Sequence, residues 1–361
     1  MDQEKAQRKR EEYNKPQNVC KRKIAGRYEW AWNCIGIQIL ISQILSVLIM
    51  IPFMIISLIN TLNVEAYEVN PIDLNNIIEY SIPISAVCYI IANTLAAFIA
   101  LKVTKAARFR DYLHRPKINP GLITLAVFAT LGISNLDSII MNLFSSVFSA
   151  SNEQLTDSIS GGLLSDNIIL VILSVSYIAV IGPFLEELLC RGAILSLSGH
   201  ISPEFGIFAS AFIFGIFHLN ISQFFNAFLL GLLLGYITYK SKSIIPSTIM
   251  HIANNSCAVI EVYFADKLSE SAFERFEMIF CIGSIIIGIA ALVAIIVYFR
   301  KHKDEENTGS IIVNKPVTDE EVAELGLTEK QLTVKMFFTR WSFFLVFAFF
   351  IFSCLAINMM F

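Results

Sequence analysis

Long uninterrupted stretches of apolar residues are the feature that most limits how this chain can fold. A helix needs about 20 mostly apolar residues to cross about 30 Å of hydrocarbon, and the chain contains about nine stretches of that kind. They lie near residues 34–59, 81–103, 121–148, 167–198, 204–221, 223–239, 243–264, 278–299 and 341–361. Because the stretches do not alternate between apolar and polar residues, membrane strands are disfavoured. The sequence predicts an all-α polytopic membrane protein with about eight or nine transmembrane helices.

The amino-acid composition also indicates a membrane protein. Hydrophobic residues make up 55% of the chain and charged residues only 16%, unlike a soluble domain. The lipid bilayer is therefore a predicted partner. The net charge of −3 gives no indication of nucleic-acid binding, and the basic clusters are better interpreted as topology signals and contacts to anionic lipid.

The positions of lysine and arginine predict the orientation. Basic residues are concentrated in residues 1–33 and in the connection 104–118, whereas residues 61–79 contain acidic but no basic residues. Because cytoplasmic loops are enriched in Lys and Arg, we expect a multi-pass protein of the cell membrane. Its N-terminus should be cytoplasmic, and residues 61–79 should lie outside.

Polar side chains interrupt the apolar stretches at three places. These are Glu186, Glu187 and Arg191 in "GPFLEELLCRG", His218 in "FIFGIFHLN", and His251, Asn254 and Asn255 in "MHIANNS". Ionisable groups in a bilayer cost at least about 2.5 kcal/mol each and usually mark functional sites. With a rise of about 1.5 Å per residue, all of them lie about 12–21 Å from the cytoplasmic ends of their helices. We therefore expect a common polar layer near the middle of the membrane.

The spacing of these residues separates their roles. Glu187 and Arg191 are four residues apart and share a helix face, which predicts a structural ion pair. Glu186 lies about 100° around the helix from that face, so it is free to take a proton from water as a general base. His251 and Asn255 are also four residues apart, and donors of this kind can stabilise an oxyanion.

Two local features concern the helices themselves. Pro183, directly after Gly182, removes a backbone hydrogen bond one turn before the glutamates, which predicts a kink or break and an unpaired carbonyl. Gly231 and Gly235 form a GxxxG pattern, which is typical of close helix packing.

Simpler interpretations of the intramembrane polar residues stay open. A single His or a Glu–Arg pair often only holds helices together, and such residues also form proton relays in transporters. Asp137, with Asn135, matches no motif, so a local break or polar contact explains it as well. His114, His200 and His302 fall in predicted cytoplasmic connections, where we expect them to be solvated.

The three polar places resemble the motifs of the CPBP family of intramembrane proteases, which includes the CAAX prenyl proteases and bacteriocin-immunity-type relatives. The family pattern EExxxR, FxxxH and HxxxN reads here as Glu186-Glu187-x-x-x-Arg191, Phe214-x-x-x-His218 and His251-x-x-x-Asn255. The resemblance covers about residues 180–260.

The resemblance implies a membrane endopeptidase, a hydrolase acting on membrane-associated peptides or proteins. In this interpretation Glu186 activates water with the help of His218, and His251 with Asn255 binds the developing oxyanion. The alternatives are a transporter or proton-coupled carrier that uses the same residues, and a non-proteolytic immunity-type member of the family.

Members of this family have been described both as glutamate proteases and as metalloproteases. The sequence contains no HExxH zinc motif. Glu186, His218 and His251 would nevertheless supply one oxygen and two nitrogens, an acceptable ligand set for catalytic zinc. We favour a site without a metal or other cofactor, because Asn255 suits an oxyanion role and is a rare zinc ligand, and we keep zinc as the alternative.

These features divide the chain into six segments. They are a basic cytoplasmic N-terminal tail at 1–33, N-terminal transmembrane helices at 34–165, a catalytic transmembrane helical core at 166–265, a transmembrane helix 8 region at 266–299, a polar cytoplasmic segment at 300–340 and a C-terminal transmembrane helix at 341–361. In the polar segment, Thr318 and Glu321 have the spacing of a capping box and predict a short surface helix.

Overall fold

The computed structural model of the chain describes residues 2–62, 74–143, 163–302 and 315–359. Within these ranges the regular structure is helical and no strand occurs. The helices are α1 (Asp2–Asn14), α2 (Pro16–Leu62), α3 (Leu74–Thr104), α4 (Pro120–Leu143), α5 (Ile168–Ser198), α6 (Pro203–Phe217), α7 (Ile221–Ser241), α8 (Ile245–Lys267), α9 (Glu270–Lys301), α10 (Asp319–Ala323), α11 (Gln331–Phe338) and α12 (Trp341–Met359).

Six helices in the described ranges are long and apolar enough to cross a membrane, or seven if the bent pair α11 and α12 forms one span. The chain is thus an all-α polytopic membrane protein, as expected. α6 has only 15 residues and is about 22 Å long. α8 carries His251, Asn254 and Asn255 among its apolar residues. The expected outer connection at 61–79 lies largely outside the described residues.

The segment before the first apolar stretch is part of the helical core. α2 includes residues 16–33, and Ile24, Tyr28 and Trp32 on one of its faces are fully buried. Their spacing of four residues places them along one helix face. Trp32 Nε1 donates to the carbonyl of Phe337 at 3.2 Å, so this face binds the segment that leads into the last helix.

The polar segment at 300–340 also contacts the helices. Leu332 and Phe337 are buried in the same cluster as the N-terminal part of α2. The predicted capping box is confirmed at the start of α10, where Glu321 N donates to Thr318 Oγ1 at 3.1 Å and Thr318 N donates to Glu321 Oε2 at 2.7 Å.

His200 is buried rather than solvated, so the expectation for this histidine was wrong. It is 3% exposed in the turn between α5 and α6, with its ring centroid 4.9 Å from that of Tyr28. Its Nδ1 lies 2.7 Å from the carbonyl of Leu197. Burial lowers the pKa of His200 to about 3, so the ring is neutral at physiological pH.

The GxxxG pattern of α7 is confirmed as a site of close packing against α6. A Cβ atom on Gly231 would lie 3.0 Å from Ala211 Cα, and one on Gly235 would lie 3.2 Å from Ile207 Cγ2. A larger residue at either position would push the two helices apart by a few tenths of an ångström. The α6–α7 hairpin is therefore a compact unit beside α5.

Hydrogen bonds join several helix ends at one end of the bundle. Lys117 N donates to Ser241 O at 2.9 Å, and Ile244 N donates to Tyr112 O at 3.1 Å. The hydroxyl of Tyr112 lies 2.6 Å from Ser196 Oγ near the end of α5. The basic connection between α3 and α4 thus lies at the same end of the bundle as the end of α5, the end of α7 and the start of α8.

Candidate active site

α5 changes its hydrogen-bonding pattern around the proline. Tyr177–Ile181 and Leu188–Ile194 are π-helical, and the α-helical turn Gly182–Glu187 separates them. The expected disruption at Gly182-Pro183 is therefore a π-helical turn that leads directly into the proline, because a residue without an N–H interrupts the α-helical ladder. Such turns are frequent at functional sites.

The proline also leaves a carbonyl free for another partner. In an i→i+5 pattern the partner of Ile178 O would be residue 183, which has no N–H. Ile178 O instead accepts a hydrogen bond from Asn255 Nδ2 at 3.0 Å. Asn255 thereby ties α8 to the irregular part of α5. An amide carries two N–H donors, so its second one is available for a different acceptor.

Glu187 and Arg191 form the ion pair that their spacing predicts. Arg191 Nη1 donates to Glu187 Oε1 at 2.6 Å, and both side chains are fully buried. The guanidinium also donates from Nη2 to Gly231 O at 3.3 Å and lies 4.4 Å from the ring centroid of Phe214. Both charges are therefore neutralised inside the bundle.

Glu187 also orients one of the two intramembrane histidines. Its Oε1 lies 3.1 Å from His251 Nδ1. Because an ionised carboxylate only accepts hydrogen bonds, Nδ1 must carry a proton. The other ring nitrogen, Nε2, then points towards Glu186, whose Oε2 lies 3.7 Å away.

His218 lies at the turn of the α6–α7 hairpin. It is the C-cap residue directly after α6, and Leu219 has a positive φ of 53° that lets the chain reverse. Asn220 Oδ1 then caps α7 by accepting from Ser222 N at 2.8 Å. Because α6 ends after 15 residues, this histidine lies at the turn and borders the same cavity as Glu186.

Phe214 fixes the ring of His218. The carbonyl of Phe214 lies 2.8 Å from His218 Nδ1, so this nitrogen carries the proton and a neutral ring has its lone pair at Nε2. The Phe214 ring is edge-on to both imidazoles, with centroid distances of 4.9 Å to His218 and 5.6 Å to His251. One aromatic side chain thus holds both histidines and, through its face, Arg191.

Most of these polar groups line one cavity of about 490 Å³. Its lining includes Glu186, His218, His251 and Asn255, whereas the described part of the lining contains neither Glu187 nor Arg191. The Glu186 side chain is 12% exposed and that of Glu187 is fully buried. The two adjacent glutamates therefore have different environments: one faces the cavity and the other is enclosed.

The same cavity includes polar residues that lie outside the three motifs. Asn254, outside the motifs, lines the cavity and accepts a hydrogen bond from Ser134 Oγ of α4 at 2.7 Å. Asp137, also on α4, lines it too. The Ser134 and Asp137 positions are three residues apart on α4 and so share a face, but only the packing of α4 against α8 brings that face to the site.

The side chains that border the cavity can be compared with the ligands of a zinc site. Glu186, His218 and His251 all border the cavity, and their carboxylate and imidazole groups have the chemistry of zinc ligands. In the described residues, no three His, Cys, Asp or Glu side chains are already arranged closely enough to hold a metal ion.

Comparison with known families identifies the segment that contains these residues. Residues 168–257 match the family model described as "Rce1-like: Type II CAAX prenyl endopeptidase Rce1-like". The match includes α5, α6, α7 and the first half of α8. No curated protein and no solved structure gives a significant match to the chain.

Proposed function

We propose that this chain, whose residues 168–257 carry an Rce1-like domain of the CPBP family of intramembrane proteases, is an endopeptidase that cleaves membrane-associated peptides or proteins. The observation that carries the proposal is the contrast between two neighbouring carboxylates. Glu187 is enclosed and paired with Arg191, while Glu186 faces a cavity with His218 and His251. A carboxylate next to imidazoles in a partly dry cavity is suited to general-base chemistry.

In the proposed reaction, Glu186 takes a proton from a water molecule as the oxygen attacks the scissile carbonyl. Neutral His218, with Nδ1 committed to Phe214 O, accepts a hydrogen bond from that water through Nε2 and orients it. When the tetrahedral intermediate collapses, the C–N bond breaks and Glu186 returns the proton to the leaving amine. The base is thereby regenerated in each cycle.

His251 and Asn255 are proposed to stabilise the oxyanion. His251 would donate to the oxyanion from Nε2, with its ring held in place by the contact of Nδ1 with Glu187. Asn255 uses one amide N–H to bind Ile178 O, which holds the side chain in place and leaves the other for the oxyanion. Preorganised donors of this kind lower the barrier because they need no rearrangement during reaction.

A zinc-dependent version of the same site is the second candidate mechanism. Glu186, His218 and His251 would hold the ion, because all three border the cavity and the neutral rings have their lone pairs at Nε2. A bound zinc would make water a better nucleophile near neutral pH. The remaining groups would keep their positions, with Asn255 next to the reacting carbonyl.

Metal content separates the two mechanisms. In the metal-free mechanism, purified protein should contain far less than one zinc per chain, and a chelator should leave cleavage of a peptide library largely unchanged. Elemental analysis of the purified protein and cleavage assays with and without chelator measure this. One tightly held zinc per chain, lost in His218→Ala or His251→Ala, would establish the metalloprotease mechanism instead.

We further propose that the protein resides in the cell membrane with its N-terminus in the cytoplasm. Cysteine labelling in intact cells should therefore protect single cysteines placed in 1–33, 104–118 and 302–335 and modify those placed in 61–79, in a background without the native cysteines. Labelling after permeabilisation is the control. Modification of 104–118 in intact cells would contradict the assignment of the first three spans.

A further inference from the structure

Asp137 is a buried carboxylate that the proposed reaction does not use. It lies on α4, is 3% exposed and lines the same cavity as Glu186. Among the residues that the structure describes, none forms a hydrogen bond or ion pair with it. A buried carboxylate without a partner is unfavourable in a low-dielectric setting, and an intramembrane acid that faces a cavity is a candidate for ligand binding.

The cavity has an excess of acidic groups. Its described lining contains three carboxylates, from Asp137, Glu186 and Glu277, and no lysine or arginine. Arg191, the nearby cation, is already bonded to Glu187 and Gly231. Among the described residues no cation of the lining is left to pair with Asp137, so a positively charged bound molecule would supply that partner.

The position of Asp137 along the membrane suggests how far it lies from the reacting bond. It is about 26 Å from the cytoplasmic start of α4, whereas Glu186 is about 18 Å from the cytoplasmic end of α5. The offset of about 8 Å equals two or three residues of an extended peptide at about 3.3 Å per residue. Glu277, an exposed residue of α9, marks the rim of the cavity.

We infer that Asp137 is a specificity residue that binds the lysine or arginine side chain of a peptide substrate, two or three residues from the scissile bond. The inference rests on the proposed endopeptidase function. A long basic side chain is favoured over a metal ion at Asp137, because no three His, Cys, Asp or Glu side chains among the described residues are arranged so that they could hold a metal ion. The aliphatic part of such a side chain also suits a partly apolar cavity.

Binding can be tested without catalysis. In purified full-length Glu186→Gln protein, an acetylated and amidated heptapeptide with one central lysine should bind about tenfold more tightly than the same peptide with norleucine, a preference of about 1.4 kcal/mol. Adding Asp137→Asn should remove the preference, and Asp137→Glu, which keeps the charge, should retain part of it. Asp166→Asn, at an exposed aspartate, is the matched control and should change nothing.

Cleavage by protein with intact Glu186 is the second readout. Asp137→Asn should lower kcat/KM about tenfold more for peptides with lysine two or three residues from the cut than for the norleucine peptides. Equal binding of both peptides, or a lysine preference that survives Asp137→Asn, would overturn the inference while leaving the protease function intact.

Two other outcomes separate the inference from the proposed function. If lysine-peptide binding depends on Asp137 but no peptide is cut, the proposed function fails and cation recognition stands. If Asp137→Asn instead weakens binding of Zn²⁺ or Ca²⁺, measured with the metal alone, the site is a metal site and the inference is overturned. Melting curves for each variant exclude misfolding as the cause, and Asp137→Glu keeps the test available if Asp137→Asn does not fold.

Discussion

Glu186→Gln should reduce peptide cleavage by at least about 10²-fold, the lower end of what a general base contributes. The amide keeps the size of the side chain and some of its hydrogen bonds, but it cannot take a proton from water. Because the Glu186 side chain borders the cavity and is not part of the enclosed ion pair, the yield and melting temperature should barely change. Detergent-purified protein and a broad peptide library measure both quantities.

The matched control is Glu274→Gln, which makes the same chemical change at an exposed carboxylate of α9. It should leave cleavage and melting behaviour as they are in the unmodified protein. Near-normal cleavage by Glu186→Gln would refute the proposed role of this residue. If no peptide is cut but a solute or proton flux in liposomes depends on Glu186, the carrier alternative replaces the protease.

Glu187→Gln should instead destabilise the protein, by about 3–5 kcal/mol, the cost of breaking a buried ion pair. It leaves Arg191 charged and without its counter-ion in a fully buried position. Arg191→Met should cause a similar loss of stability, because it leaves Glu187 charged and without its counter-ion. Thermal unfolding in detergent and the yield of folded protein are the measurements. Cleavage should also fall in Glu187→Gln, since His251 loses the carboxylate that orients it.

The double variant Glu187→Gln/Arg191→Met tests whether the two residues act as a pair. Without either charge, the double variant should be more stable than the sum of the two single losses predicts. Its cleavage activity should stay low, because the Glu187 carboxylate that bonds His251 Nδ1 is still missing. Additive losses of stability would show that the two side chains contribute independently, contrary to the observed contact at 2.6 Å.

Contacts between residues one helical turn apart could be predicted from the sequence, because they depend only on spacing along a single helix. The four-residue spacing of Glu187 and Arg191 follows from helix periodicity, and that ion pair is present. The proline disruption was predictable for the same reason, although its form as a π-helical turn was not. A window of apolar residues did not reveal that α6 ends after 15 residues, because the turn at its end depends on local backbone geometry.

The position of Asp137 and Asn254 at the cavity could not be predicted, for a physical reason. The sequence shows only that each is polar within an apolar stretch, a pattern that a helix contact explains equally well. Their common cavity depends on how α4 packs against α8, where Ser134 bonds Asn254. The bond from Asn255 to Ile178 O could not be predicted either, because it joins residues 77 positions apart.

The sequence by itself determined the membrane class, the helical fold and the order of the polar motifs, because apolar length and residue spacing are properties of single helices. Only the tertiary structure decided which groups meet. The pairing of His251 Nδ1 with Glu187, the exposure of Glu186 to a cavity and the arrival of Asp137 in that cavity all join different helices. Such contacts depend on the angle and separation at which helices pack, which side chains far apart in the chain set together.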